Sequence, residues 1–516
     1  MRTSNSIKNI VTGVLLQVIT VFLGFISRKI FIDNMGLELL GINGLLTNIL
    51  SMLSLVELGI GSAIYFSLYK PLAKKDNNQV HAIMHLYSKL YKYIGVVVAI
   101  LGLIMLPFLR YFVNTDISQE YVKFIFLIFL TDSVISYFLA YRRNILSADQ
   151  KNYVINELSA IFSVSISLIQ IIVIITTKNY IAYLLIKVIL IFIQNVIIYF
   201  VTNNRYPYLK NKEVEPLDKL TKEEIIKNAK ALFFVNISIY CVFGTDNILL
   251  SAFAGVATVG IYSNYVLVIN TINNLIGQVF NGIKASFGNF LVEEDIEKAH
   301  FLFNVLYFIN FWVSTFCAIS LAVLLNPFVE LWLGKEMLFP IIAVFIIVFN
   351  FHSRSMTNAI ELVRNSAGLY SPYPFFKYWE LVEGGVNLLA SIILAGTLKM
   401  GMLGVFLGTS ISTFVTVFVL PWNVYKYVFK ISSKTYYKKY IKYVSFALVM
   451  LVITYFLANF FVIENKIIGF ILKCFICVCI PNILILISFK NTKEFKYLID
   501  RFNVKKILEK VRLKRR

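Results

Sequence analysis

The chain has 516 residues, 58% of them hydrophobic and only 15% charged, with a mean hydropathy of +0.75. A soluble protein of this length needs far more charge to cover its surface, so the composition argues against a soluble enzyme or binding domain. The net charge of +21 sits in short segments between apolar runs, where membrane topology rather than nucleic acid accounts for it, and five scattered cysteines make no disulfide framework.

The apolar runs are each about 20 residues or longer, enough to cross ~30 Å of hydrocarbon. Backbone groups in lipid must be satisfied within the segment, so these runs read as helices; the alternating pattern of a barrel is absent. In chain order the expected spans are 10–32, 39–69, 93–113, 121–147, 153–177, 180–201, 229–253, 257–284, 301–325, 338–364, 375–397, 401–425, 441–462 and 466–488. The first is too long for a signal-peptide core and lacks a small-residue cleavage site, so it is expected to remain as a span. The second and eighth are long enough to tilt or to extend beyond the bilayer. Cys474, Cys477 and Cys479 lie in the last run with no histidine nearby, and read as membrane core rather than metal ligands. The expected fold class is all-α integral membrane, with about fourteen transmembrane helices.

Most of the 49 lysines and arginines fall in the tails and in every second loop. The opposite loops carry only Arg110, Lys123, Lys178, Lys335, Lys399 and Lys466. The positive-inside bias then places both termini in the cytoplasm. The basic tail ending in Arg512, Lys514, Arg515 and Arg516 can rest on anionic headgroups. The halves also match at one constant offset: Gly36 with Gly255, Gly41 with Gly260, and Ser147-Ala148 with Ser366-Ala367. An offset of six helices keeps both copies in the same orientation, which predicts two pseudo-symmetric six-helix lobes related by an axis along the membrane normal. The expected domains are a first lobe over 1–204, a cytoplasmic linker over 205–228 with Pro207 and Pro216, a second lobe over 229–430, and an extra helix pair with the basic tail over 431–516.

Ionisable residues inside a membrane are costly and usually face a cavity or a partner. Arg28 and Lys29 lie late in the first span, where snorkelling to the interface is the competing explanation. Asp246 is equivalent by the repeat to Ser27, so it has nearly the height of Arg28, and the two are expected to face one another across a cleft as a gate. With Lys187, Lys284 and Arg354, which sits beside His352, Arg28 and Lys29 would make a cationic cavity that attracts anionic headgroups. Arginine can also clamp phosphate oxygens through its planar fork. Glu57, Asp132 and Asp246 are the candidates for gating or cation coupling, by protonation or by direct ligation; a structural ion pair accounts equally well for each taken singly. Glu361, Glu380 and Glu383 fall near cytoplasmic helix ends and suit solvated or capping roles. Asn264 is one of several amides within spans, and Asn270, Asn273, Asn274 and Asn281 share a helix face. Such a face either glues helices together or hydrates a sugar path.

Several stretches resemble the polysaccharide-biosynthesis transporters called Wzx flippases, within the superfamily that also holds multidrug and peptidoglycan-precursor exporters. They are Gly36 to Pro71, closing on Ser67-Leu68-Tyr69-Lys70-Pro71; Gly260-Ile261-Tyr262-Ser263-Asn264-Tyr265; Ala285-Ser286-Phe287-Gly288-Asn289; and Asn387-Leu388-Leu389-Ala390-Ser391 leading to Gly404-Val405-Phe406-Leu407-Gly408-Thr409. The resemblance covers most of residues 1–430. It implies two six-helix lobes around a central cavity, alternating access, and movement of a polyprenyl-diphosphate-linked oligosaccharide from the inner to the outer leaflet of a bacterial plasma membrane. It also implies a cationic residue on the first helix, for which Arg28 is the match. Coupling to Na+ or H+ is suggested, with no other cofactor. Membrane lipids, a polysaccharide polymerase and assembly proteins are the implied partners, and nucleic acid is not. Fourteen helices suit the precursor flippases better than twelve-helix multidrug exporters. A drug exporter of the same superfamily is the main alternative, and it would favour an acidic cavity. A membrane polymerase or glycosyltransferase is another, although its catalytic groups would need a sizeable outward loop and every outward loop here is short. No phosphate-cradling glycine loop for ATP hydrolysis is present.

Overall fold

The computed structural model describes residues 2–54, 57, 60–149, 151–211, 214–219, 221–223, 225–226, 240, 244–367, 375–461 and 463–502. No strand occurs among these residues. The helices in chain order are α1 (Arg2–Leu53), α2 (Ile60–Lys74), α3 (Asn77–Met105), α4 (Leu109–Phe112), α5 (Gln119–Ala140), α6 (Arg143–Ala148), α7 (Asn152–Thr177), α8 (Tyr180–Arg205), α9 (Asp246–Ala254), α10 (Val256–Glu293), α11 (Ile296–Leu333), α12 (Ile341–Ser355), α13 (Asn358–Ser366), α14 (Phe375–Ile392), α15 (Met402–Val424), α16 (Lys434–Phe460), α17 (Lys466–Phe489) and α18 (Lys493–Phe502). Polar side chains start several of them by taking N–H groups that have no partner within the helix. Asp76 does so for α3, Ser118 for α5, Asn179 for α8 and Asn465 for α17.

Ten helices among the described residues are long and apolar enough to cross a membrane, so the chain is a multi-pass membrane protein. The expected run 39–69 is divided between the end of α1 and α2, and 338–364 between α12 and α13. The expected span 229–253 falls largely outside the described residues. The 38-residue α10 is long enough to cross, but Asn264, Asn270, Asn273 and Asn274 interrupt its apolar run.

Two compact units divide the chain: Met1–Ser263 with Glu380–Gly385, and Asn264–Trp379 with Val386–Arg516. In the first unit α7 packs along α1 and α8, while α5 packs against α3 and α8. The repeated glycines carry the same backbone there. Gly36 interrupts α1 with φ 83° and ψ 173°, and Gly255 separates α9 from α10 with φ 83° and ψ 159°. L side chains rarely adopt that conformation, and glycine takes it without steric cost. The helices beyond these breaks meet reciprocally. A Cβ on Gly41 would lie 2.0 Å from the Val256 carbonyl oxygen, and one on Gly260 would lie 2.5 Å from the Leu37 carbonyl oxygen. Leu37 and Val256 are themselves separated by the same offset as Gly41 and Gly260.

In the second unit α11 is enclosed by α12, α16, α17 and α18. Its aromatic face builds the core: Phe311 stacks on Tyr443 at 4.1 Å, Tyr307 stacks on Tyr436 at 5.0 Å, and Phe303 and Tyr307 lie parallel at 5.8 Å. The short amphipathic α18 docks through Phe495 onto Trp312 and Phe308. A Lys439–Glu494 ion pair at 2.5 Å fixes its start.

Candidate functional site

Arg28 and Lys29 are neighbours in α1 but point to different environments. Lys29 pairs with Asp33 one turn on, at 3.3 Å, with both side chains about half exposed. Arg28 is half-buried, and its Nη1 donates to Ser263 Oγ at 3.0 Å. Ser263 in turn donates to the Gly260 carbonyl. The close glycine contact between α1 and α10 therefore brings the two side chains within reach. Among the described residues Arg28 makes no ion pair. The expected facing of Arg28 and Asp246 is thus not a direct ion pair in this conformation, because the α10 hydroxyl takes the guanidinium instead. Asp246 is buried in the first turn of α9, within electrostatic reach of Tyr262. An aromatic floor lies beside Arg28. Phe31 meets Tyr180 and Tyr183 edge-on, and Tyr180 receives a hydrogen bond from Asn43 at 3.1 Å.

Two other candidates pair with each other. Asp132 on α5 and Lys187 on α8 are 3.9 Å apart, and the Lys187 ammonium lies over the Phe129 ring. Glu57, in the turn before α2, has a cage of tyrosines. Tyr91 donates to its Oε1 at 2.5 Å, Tyr87 donates to Tyr91 at 3.0 Å, and Asn144 donates to Tyr87. Tyr137 also bonds Glu57.

In the second unit Asn264 is fully buried, and neither side-chain atom has a hydrogen-bond partner among the described residues. Asn270 and Asn274 are exposed on another face of α10, together with Asn273 and Gln278. The Asn281 side chain lies outside the description. Lys284 is exposed, and its carbonyl accepts from Ser366 at 3.1 Å. Arg354 is half-buried in the last turn of α12, and His352 beside it bonds Thr315 at 3.1 Å. The interior polarity of this unit is largely neutral. Asn350 joins the Phe406 carbonyl and Ser410, Asn387 donates to Thr409 and Ser412, and Asn310 donates to the carbonyls of Ser355 and Met356.

Two features did not stand out in the sequence. Arg142 is buried between the rings of Tyr141 and Tyr199, and Arg143 donates to Asn195 at 2.6 Å. In the sequence both look like ordinary cytoplasmic loop charges. The other is an open apolar groove of 570 Å³ in the second unit, lined by α10, α11 and α17 and including Ile272, Val279, Phe316, Leu324, Phe470 and Cys474. Three separate apolar runs build it, and no single run signals it.

The arrangement of helices is the fold seen in solved structures of membrane transporters, a lipid II flippase and MATE-family multidrug transporters among them. The chain superposes on the lipid II flippase MurJ, in an inward closed conformation, with a TM-score of 0.69 at 15% identity, covering 93% of this chain and 99% of that one. It superposes on an inward-facing MATE-family multidrug resistance transporter with a TM-score of 0.57 at 14% identity (78% and 92% covered), and on a Vibrio cholerae MATE transporter with 0.55 at 13% identity (82% and 97%). At such identities the likeness is one of fold. No family model matches the sequence, and no curated protein matches it.

Proposed function

We propose that the protein is an alternating-access flippase that moves polyprenyl-diphosphate-linked oligosaccharide units across a bacterial plasma membrane, with both termini in the cytoplasm, for assembly of a surface polysaccharide. The observation that carries this reading is Arg28: a guanidinium in a membrane unit, held by a neutral hydroxyl and without an ion pair among the described residues. Removing a cation from water is costly unless an anion compensates it. A diphosphate headgroup would supply that anion and suits the bidentate fork of arginine. The groove of the second unit supports the same reading, since it is apolar and open, as a prenyl tail requires while the sugar crosses. The likeness to a lipid II flippase over 93% of the chain supports a lipid-linked cargo.

In this scheme Asp246 and the caged Glu57 are the groups whose protonation or cation binding would couple the cycle to a gradient. Asp132 and Lys187 hold α5 to α8. The exposed amides Asn270 and Asn274 would hydrate the sugar. A polymerase acting on the delivered units is the partner this chemistry requires. A drug exporter in the same fold would need to stabilise a cation, which an uncompensated arginine opposes.

The test is translocation of a fluorescent polyprenyl-diphosphate-linked oligosaccharide in vesicles holding the purified protein. Arg28→Ala should lower its rate by on the order of 30-fold, while Arg28→Lys keeps more of it. Unchanged translocation by Arg28→Ala, or efflux of cationic dyes with no movement of the lipid-linked sugar, would overturn the proposal.

A further inference from the structure

Away from these groups, at the basic end of α15 in the second unit, is a second and largely polar recess of 420 Å³, lined by Trp422, Lys426, Lys430, Ile431, Ser432 and Ser433. Here α15 gives way to a π-helical turn, Tyr425–Phe429, and Lys430 follows with φ 55°. That left-handed residue reverses the chain, so that Lys426 and Lys430 border one recess. The Lys426 ammonium lies 4.8 Å from the Trp422 ring centre and 5.2 Å from that of Tyr427. Cation–π attraction of this kind holds a lysine in place without neutralising it. Neither lysine has an acidic partner among the described residues. The 27-residue α16 begins directly afterwards at Lys434 and adds the partial positive charge of its N-terminus.

A second observation points to what this recess holds. Phe414, Phe418 and Trp422 recur every four residues on α15 and are 47%, 53% and 43% exposed, so one face of the helix is an open aromatic lane leading to Lys426. The lane and its charged end lie 12 residues apart, about 18 Å at ~1.5 Å per residue. That is close to the ~15 Å depth of one leaflet. A cationic recess at the foot of an apolar lane one leaflet long matches a molecule with an anionic head and an extended acyl tail.

We propose that Lys426 and Lys430, with the Phe414–Phe418–Trp422 lane, form a binding site for an anionic glycerophospholipid of the inner leaflet, its phosphate between the two ammonium groups and an acyl chain along the rings. The site is separate from the transported substrate and rests only on the orientation given by the basic loops, so the flippase reading can stand or fall independently of it.

The test uses the full chain in phosphatidylcholine vesicles that carry either phosphatidylglycerol or phosphatidylcholine brominated on its acyl chains. The part of the tryptophan quenching that disappears in Trp422→Phe reports the lane. Brominated phosphatidylglycerol is expected to reach half-maximal quenching at a mole fraction lower by roughly tenfold than brominated phosphatidylcholine. Lys426→Gln/Lys430→Gln should erase that preference and Lys426→Arg/Lys430→Arg should keep it; excess inorganic phosphate should leave it in place. Equal quenching by the two lipids in the unaltered chain overturns the proposal, and so does a preference that survives the glutamine pair. A preference cancelled by inorganic phosphate would assign the recess to a free anion instead of a lipid. If the glutamine pair does not fold, the two-lipid comparison and the arginine pair still decide.

Discussion

The two units carry their membrane-embedded polarity differently. The first, built on α1 to α9, uses charge: Arg28 on Ser263, Asp132 with Lys187, Glu57 in its tyrosine cage, and Asp246 buried at a helix start. The interior of the second relies mainly on neutral groups, in the clusters around Asn310, Asn350 and Asn387, and opens an apolar groove between α10, α11 and α17. Gly36 and Gly255, which the sequence matches at one constant offset, both lie in the first unit and share one backbone conformation.

The largest expected effect tests the charged side of this contrast. Arg28→Ala should lower the rate of lipid-linked sugar translocation by on the order of 30-fold, the usual cost of truncating one partner of a desolvated charged contact, with no loss of folded protein on size exclusion. An equal loss from Lys29→Ala, whose side chain is engaged on the surface with Asp33, would erase the distinction drawn between the two neighbours.

The shared frame is tested next. Gly41→Val and Gly260→Val each drive a side chain into a carbonyl oxygen across the α1–α10 contact. Each should cost about 3 kcal/mol, read as a lower thermal midpoint in detergent. Gly277→Ala meets nothing within 4 Å on α10 and should instead raise the midpoint, by about 0.5–1 kcal/mol of helix propensity. If all three behave alike, close approach is not what requires glycine at 41 and 260.

A smaller effect is expected at the α5–α8 pair. Asp132→Asn should destabilise the protein by about 1 kcal/mol, and Asp132→Asn/Lys187→Met should recover most of it. A transport defect in the single variant that persists in the double variant would make Asp132 a participant in coupling rather than half of a structural pair.

The smallest effect compares one carboxylate–lysine tie in each of the two units. Burial opposes ionisation of Asp149, but hydrogen bonds from Lys151 and Tyr206 hold its carboxyl below the ordinary value of 3.8. Burial likewise opposes ionisation of Glu494, and Lys439 holds it below 4.5. A carboxyl with a depressed value in the folded state stabilises the fold above its unfolded value, and that contribution fades as the pH falls through the folded one. The difference in thermal midpoint between the unaltered chain and Asp149→Asn should therefore be full near neutrality and close below pH 3.8. For Glu494→Gln it should begin to close below pH 4.5. Differences that do not change with pH would mean that neither carboxylate is held by its lysine.

Much of the fold could be read from the chain. Apolar length dictates spanning helices because lipid leaves the backbone no other partner, and the matched spacing of Gly36 and Gly41 against Gly255 and Gly260 singled out four glycines with matching geometry. The division of the expected runs at 39–69 and 338–364 was less legible, since hydropathy does not register a break in a helix that stays apolar on both sides. For the site, the sequence identified which side chains carry charge within spans. It could not separate Arg28 from Lys29, because adjacent residues differ by about 100° around a helix and only the neighbouring helix decides which one is enclosed. It paired Arg28 with Asp246 by height along the membrane. The structure gave Arg28 to Ser263 and Lys187 to Asp132, because hydrogen-bond reach is a few ångströms and depends on the packing of α1 on α10 and of α5 on α8. The sequence by itself therefore determined the membrane setting and the helical class, which follow from transfer energies and local backbone freedom. Only the tertiary structure decided which charges are partnered and where the groove opens. Those depend on distances between segments far apart in the chain, which no local pattern encodes.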